Sequence, residues 1–159
     1  MNLGEIRAAI ADLLNTIPGV RAYPYRRDNY ATATGDGNTA IMVVPGDPYV
    51  DYYGENATMT GAALGGQSDV RLMLQVRVPR VSEEAAQIRL DELISTGTGE
   101  ARSIYDTLRP NDHEPQTLAG LIEGLGVISA RVGIVEDTAD GLSYVGADID
   151  LQMTARRVI

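Results

Sequence analysis

Val70, Leu72, Leu74, Val76 and Val78 alternate with Arg71, Met73, Gln75 and Arg77. This period-2 pattern predicts a strand with one face buried and the other wet. Pro79 closes the pattern, and Ser82 follows as a helix N-cap with Glu83 and Glu84 at the positive end of the helix dipole. Ala86, Leu90, Leu93 and Ile94 then recur at helical spacing, so residues 67–94 read as a long strand feeding an amphipathic helix. Such a unit is a scaffold and brings no reaction chemistry of its own.

The rest of the pattern is arranged around that unit. Residues 2–17 predict a first helix through Leu3, Ile6, Ile10, Leu13, Leu14 and Ile17, with Asn2 near the cap and Pro18 and Gly19 stopping it. Residues 20–25 predict a short strand that Pro24 confines to a sheet edge, and residues 26–38 an exposed polar loop. The run 40–44 predicts a buried strand ended by Pro45 and Gly46. Residues 47–66 predict a long loop, rich in Gly and Tyr, of the kind that binds something or orders on assembly.

Downstream, residues 95–99 break the chain with two glycines, 100–108 predict a second amphipathic helix, and 109–114 a polar turn. Residues 115–125 carry helical spacing weakened by Gly120 and Gly124. Residues 127–136 and 142–156 predict two strands joined by a hairpin at Asp140 and Gly141. No internal repeat, low-complexity tract or linker interrupts this order. At 159 residues, the chain is expected to form a single domain and to bury roughly 70% of the surface its unfolded form exposes.

Composition changes this picture in three ways. No cysteine is present, which removes disulfides, thiolate metal sites and cysteine nucleophiles. Trp and Phe are absent as well, so eight Tyr are the only aromatics and the core must come from aliphatic residues. The formal charge of -9 arises from 22 acidic and 13 basic residues, and every basic residue is Arg. A GC-rich coding sequence would account for the missing lysine, with a need for planar bidentate contacts at every cation as the functional alternative. An acidic surface repels nucleic acid at long range. The N-terminus carries Glu5, Arg7 and Asp12 and lacks the apolar run of a signal peptide, and no apolar run is long enough to span a bilayer. An intracellular protein is the expectation.

Candidate chemistry is sparse. His113, the single histidine, sits among acids and Pro115 and reads as an exposed loop residue. No GxSxG elbow accompanies it. Two acidic groups, Asp47, Asp51 and Glu55, and Asp137, Asp140, Asp148 and Asp150, lack the spacing of an EF-hand loop and read as solvated charge. The glycine strings at Gly35 and Gly97 do not follow a strand with a complete phosphate-binding fingerprint, and no lysine is available for a P-loop. No catalytic, cofactor or metal residue is therefore assigned. The protein-interface candidates are Asp47, Tyr49, Asp51, Tyr52 and Tyr53 in the long loop, because Tyr brings contact area at low entropic cost. Arg71, Gln75 and Arg77 on the wet face of the central strand join them.

Five phrases resemble the tail terminator proteins of long-tailed phages, especially those of actinobacterial hosts. They are PGDPYVDY at 45–52, the alternating strand at 70–78, RLDELISTGTGEARSIYDTL at 89–108, TLAGLIEGLGVISARV at 117–132 and SYVGADIDLQM at 143–153. The resemblance covers most of the chain from Ala40 onward. It implies an α+β domain in which a mixed or mainly antiparallel sheet is flanked by helices. It also implies a structural virion protein, not an enzyme, that needs no cofactor. Such proteins form a homo-oligomeric ring, usually of six subunits, on the head-proximal end of the tail tube. They stop its polymerisation and meet a head-tail connector protein. DNA passes through the lumen unbound and no membrane is involved. A head-side connector or stopper of the neck is the neighbouring alternative. A small enzyme or ligand-binding domain, with its site between the central sheet and the long loop, is the alternative of another class.

Overall fold

The computed structural model describes residues 2–27, 33–35, 37–52, 67–80, 82–96, 103–109, 116–137 and 143–156. Their elements run α1 (Leu3–Leu14), β1 (Val20–Tyr23), β2 (Thr39–Tyr52), β3 (Gln67–Pro79), α2 (Glu83–Ile94), α3 (Ile104–Leu108), β4 (Gly124–Asp137) and β5 (Ser143–Arg156). The five strands form one sheet in the order β1-β2-β3-β5-β4. β1 pairs parallel to β2, and the other neighbours are antiparallel. The fold is α+β, a mixed sheet flanked by helices, as expected.

The alternation in residues 70–78 does what its period requires. Val70, Leu72, Leu74, Val76 and Val78 are buried in one cluster with Ile41 and Val43 of β2 and Val145, Ala147, Ile149, Leu151 and Met153 of β5. Ile6, Ile10 and Leu14 of α1, Ala86, Leu90 and Leu93 of α2, and Ile104 and Leu108 of α3 complete that cluster. The helices therefore cover one face of the sheet, here called the inner face, and side-chain area removed from water there stabilises the fold at about 25 cal/mol per Å². Each helix starts as its cap residue dictates. Asn2, Ser82 and Ser103 each accept a hydrogen bond from the backbone N–H three residues on.

Arg7 ties α1 down from the inner face. Its Nε donates to the Pro24 carbonyl at 2.7 Å and its Nη2 to the Val43 carbonyl at 2.6 Å. Its guanidinium carbon lies 4.2 Å from the centroid of the Tyr25 ring. At the other end of α1, Asn15 works as a substitute strand. Its side-chain amide donates to the Ala22 carbonyl and its oxygen accepts from the Ala22 N–H, at 3.1 and 2.8 Å. Both backbone groups of edge strand β1 at that position are thereby satisfied.

Several elements depart from the sequence reading. β2 does not stop at Pro45 and Gly46 but runs on to Tyr52, so residues 47–52 belong to a strand and only the rest of the expected 47–66 loop lies outside the described residues. The register explains how the strand tolerates its breakers. Pro45 pairs with Leu72 and Val50 with Val70, so β2 bulges between them. Gly46 sits in that bulge with so little space that a Cβ there would meet the Cβ and carbonyl of Arg71 at 2.8 Å. Helix α1 ends at Leu14 instead of Ile17, and the expected helix at 100–108 is described only as the short α3. Residues 118–121 form turns, and the strand begins at Gly124 instead of 127. The backbone there reverses through Leu118 and Ala119, both at positive φ.

Candidate functional site

The sheet's second face, the outer one, carries Arg71, Met73, Gln75 and Arg77 of β3. Beside them in register are Val44, Met42 and Ala40 of β2 and Gln152, Asp150, Asp148 and Gly146 of β5. The face is divided into two halves. At the end nearest β1, Ala40, Met42 and Tyr144 are buried although they take no part in the inner cluster. Residues following β1 fold over this end. Tyr23 donates its hydroxyl proton to the Ala33 carbonyl at 2.9 Å, and the Arg27 N–H points to the Met42 sulfur at 3.4 Å. The expectation of an exposed loop at 26–38 is corrected for Ala33 and Thr34, both of which are buried. Apolar Ala40 and Met42 on the outer face require such a cover.

Arg77 belongs to the covered half, and its assignment to a wet face is wrong. It is 2% exposed. Its Nη1 makes an ion pair with Asp148 at 3.2 Å and donates to the Val76 carbonyl at 3.0 Å. Gly146, its register partner on β5, makes room for it, because a Cβ there would lie 2.9 Å from the Arg77 Cδ and Nη1. Alternation along β3 identifies the face of Arg77 correctly. Whether that face is covered depends on the segment after β1 and on a glycine 69 residues downstream, neither of which the alternation reports.

The other half of the outer face is open. A groove of about 320 Å³ runs across it, lined by the β2 bulge at Pro45, Gly46 and Asp47, by Arg71 and Met73 of β3, by Asp150 of β5 and by Ile128 and Arg131 of β4. Arg131 reaches across from the edge strand. Its Nη2 lies 3.4 Å from the Met73 sulfur and 3.7 Å from Asp150 Oδ1, while the Ser129 hydroxyl donates to the other Asp150 oxygen at 2.9 Å. Arg71 is exposed and, among the described residues, makes no ion pair. Below it on the same face, Asp69 accepts from Gln152 and Thr154 at 3.3 and 3.1 Å.

β4 carries two interruptions that shape this edge. Its register shifts between Val127 and Ser129 and again between Val132 and Ile134. Ile128 and Gly133 are the extra residues, and Gly133 holds a φ of +91° that a side chain would strain. Ile128 is thereby turned out to solvent, 54% exposed, on the groove's wall.

The remaining interface candidates are distributed unevenly. Asp47 is exposed on the groove's rim. Asp51 is exposed and stands opposite Asp69 in the β2-β3 register. Gln75 is half-buried between Met42 and Asp148. Tyr49 is claimed by the protein's own packing: its ring lies against the inner cluster and its hydroxyl accepts from Arg7 Nη1 at 3.4 Å. Tyr52 is the last residue of β2, and Tyr53 lies outside the described residues, as does His113. The structure thus brings Asp47 and Arg71 to one groove and withdraws Arg77 and Tyr49 from it. Sequence reasoning missed Ile128 and Arg131: three residues apart, they fall on opposite sides of a regular alternation, and only the bulge at Ile128 brings both to the groove.

Among the described residues no three of His, Asp and Glu converge as a metal site would require, and no helix is long and apolar enough to cross a membrane. The chain is a helix-backed mixed sheet with one open, chemically mixed half-face. No protein-family model matches it, and no curated protein does.

Proposed function

We propose that this chain is the subunit of a six-membered ring that caps the tail tube of a long-tailed phage, stops its polymerisation and forms the tail side of the head-tail joint. The observation that carries the reading is the division of the sheet. Helices occupy the inner face, and half of the outer face is left as an open groove with solvated charges, the exposed Ile128 and the half-buried Met73. That is the make-up of a protein contact, where an apolar centre excludes water and a charged rim selects the partner.

The resemblance supplies the particular assembly. Its phrases fall on the end of β2, on β3, from α2 into α3, on the turn leading into β4, and on β5, so they cover the sheet and its helical backing. The groove favours contact over chemistry, because its carboxylates are not sequestered together. Asp47 lies on the exposed rim and Asp150 is already engaged by Ser129 and Arg131.

The test is electron microscopy of the purified protein added to tail tubes assembled without it. Rings at one tube end and tubes of uniform length are expected. Particles lacking the protein whose tails nonetheless have normal length would overturn the proposal.

A further inference from the structure

Four large apolar side chains are exposed among the described residues: Tyr25, Ile88, Ile128 and Val132. Ile128 lines the groove. Ile88 lies on the opposite side of the molecule, on the solvent side of α2, and is 52% exposed. Glu84 and Asp91 flank it at spacings of four and three residues, so the three form one stripe along the helix. Both acids are exposed, and neither takes part in an ion pair among the described residues. The groove offers the counterpart: an apolar strip of Met73 and Ile128 with Arg71 and Arg131 beside it.

We infer that α2 of a second copy of this chain seats in the groove, with Ile88 against Met73 and Ile128, and Glu84 and Asp91 facing Arg71 and Arg131. The charges favour this occupant. In a chain of net charge -9, most surfaces repel another copy, and a groove whose two guanidinium groups balance Asp47 and Asp150 is an exception that an acidic helix can approach. Arg71 makes no ion pair among the described residues, so it is the cation an incoming acid can hold outright. Arg131, 63% exposed, is shared with Asp150 at 3.7 Å and would exchange that partner for Asp91 or Glu84. Strand-to-strand pairing through the β4 edge is the competing arrangement. The bulges at Ile128 and Gly133 interrupt that edge, as edges protected against pairing do.

Groove and stripe lie on opposite faces, so the contact is head-to-tail. A bound pair leaves one groove and one α2 free, the requirement for a ring or an open filament. The inference rests on the reading of the chain as a ring subunit and names the surfaces that would join its neighbours.

The absence of cysteine makes a clean test available. Ile88→Cys and Ile128→Cys change two exposed positions and spare the core. Mixed and oxidised, the two variants are expected to give a disulfide-linked dimer that neither gives alone, and the double variant a ladder of covalent oligomers. A homodimer from Ile128→Cys alone would favour β4 edge pairing, and one from Ile88→Cys alone a symmetric helix contact. Either result, or no cross-link in the mixture, overturns the inference. A second arm uses charge: Arg71→Glu with Arg131→Glu is expected to weaken self-association by about tenfold or more. Mixing with a copy carrying Glu84→Arg and Asp91→Arg should restore the pair. The two proposals fail separately. Rings on tail tubes without the cross-link would sink this contact and keep the ring, while a covalent ladder from a protein that never caps tubes would keep the contact and sink the ring.

Discussion

Arg71 and Arg77 lie six residues apart on one face of one strand, and their surroundings assign them opposite roles. Arg77 is enclosed with Asp148 and two backbone carbonyls, so removing its charge strands a carboxylate in a place with little water. Reversing it adds a second carboxylate. Arg77→Glu is expected to cost about 3 kcal/mol or more in urea unfolding. Arg71→Glu should stay within about 0.5 kcal/mol of the parent, as exposed substitutions usually do. Equal losses at the two positions would contradict the division of the outer face into a covered and an open half. The pair also marks a boundary of what the sequence discloses. A period of two separates the faces of β3 and sends both arginines to the same side. It carries no record of Gly146, whose missing side chain is what lets Arg77 lie flat against β5.

At the scale of elements, legibility followed the length of each pattern. β3, α2 and β5 have sustained periodicity, and their existence and order were readable. Their placement in one sheet follows from burying the same aliphatic face. β2 was cut short in the reading because Pro45 and Gly46 are strong breakers taken alone. The bulge that accommodates them depends on Arg71 of the neighbouring strand, a partner that local sequence does not name. Tyr49 looked like a free contact residue for the same reason, since Arg7, its hydrogen-bond donor, lies 42 positions away. Asn15 is a further long-range device, since it closes the outer edge of β1 with one side chain. Asn15→Ala should cost about 1.5 kcal/mol for the two hydrogen bonds lost. Hydrogen exchange should show the amides of β1 opening faster while those of β5 are unchanged. Uniform acceleration across the sheet would mean that Asn15 supports the whole fold instead of one edge.

For the whole molecule, the decisive quantity is charge, and it bears on what a ring of this chain would do to DNA. Of the 13 arginines, Arg7, Arg77, Arg80, Arg89 and Arg131 already have protein partners: Pro24, Asp148, Glu83, Glu92 and Asp150. The other eight arginines would have to reach phosphates against the field of 22 acidic residues, which disfavours each such contact. Each phosphate contact contributes through counterion release, so a protein making few of them binds weakly even when salt is low. A ring through which DNA slides benefits from that weakness, because a basic lumen would hold the duplex in place. The assembled protein is therefore expected not to retard a short duplex in a gel at roughly 50 mM salt, a condition that favours even nonspecific binding. Self-association through the Arg71 and Arg131 groove should behave in the opposite way and be strongest at that same salt, falling as the ions screen it over about 10 Å at 0.1 M. Measuring both in one salt series separates the two charges' roles. DNA retention at low salt that Arg71→Glu with Arg131→Glu abolishes would place the arginines of the groove on the nucleic acid, and would leave the acidic-lumen argument without support.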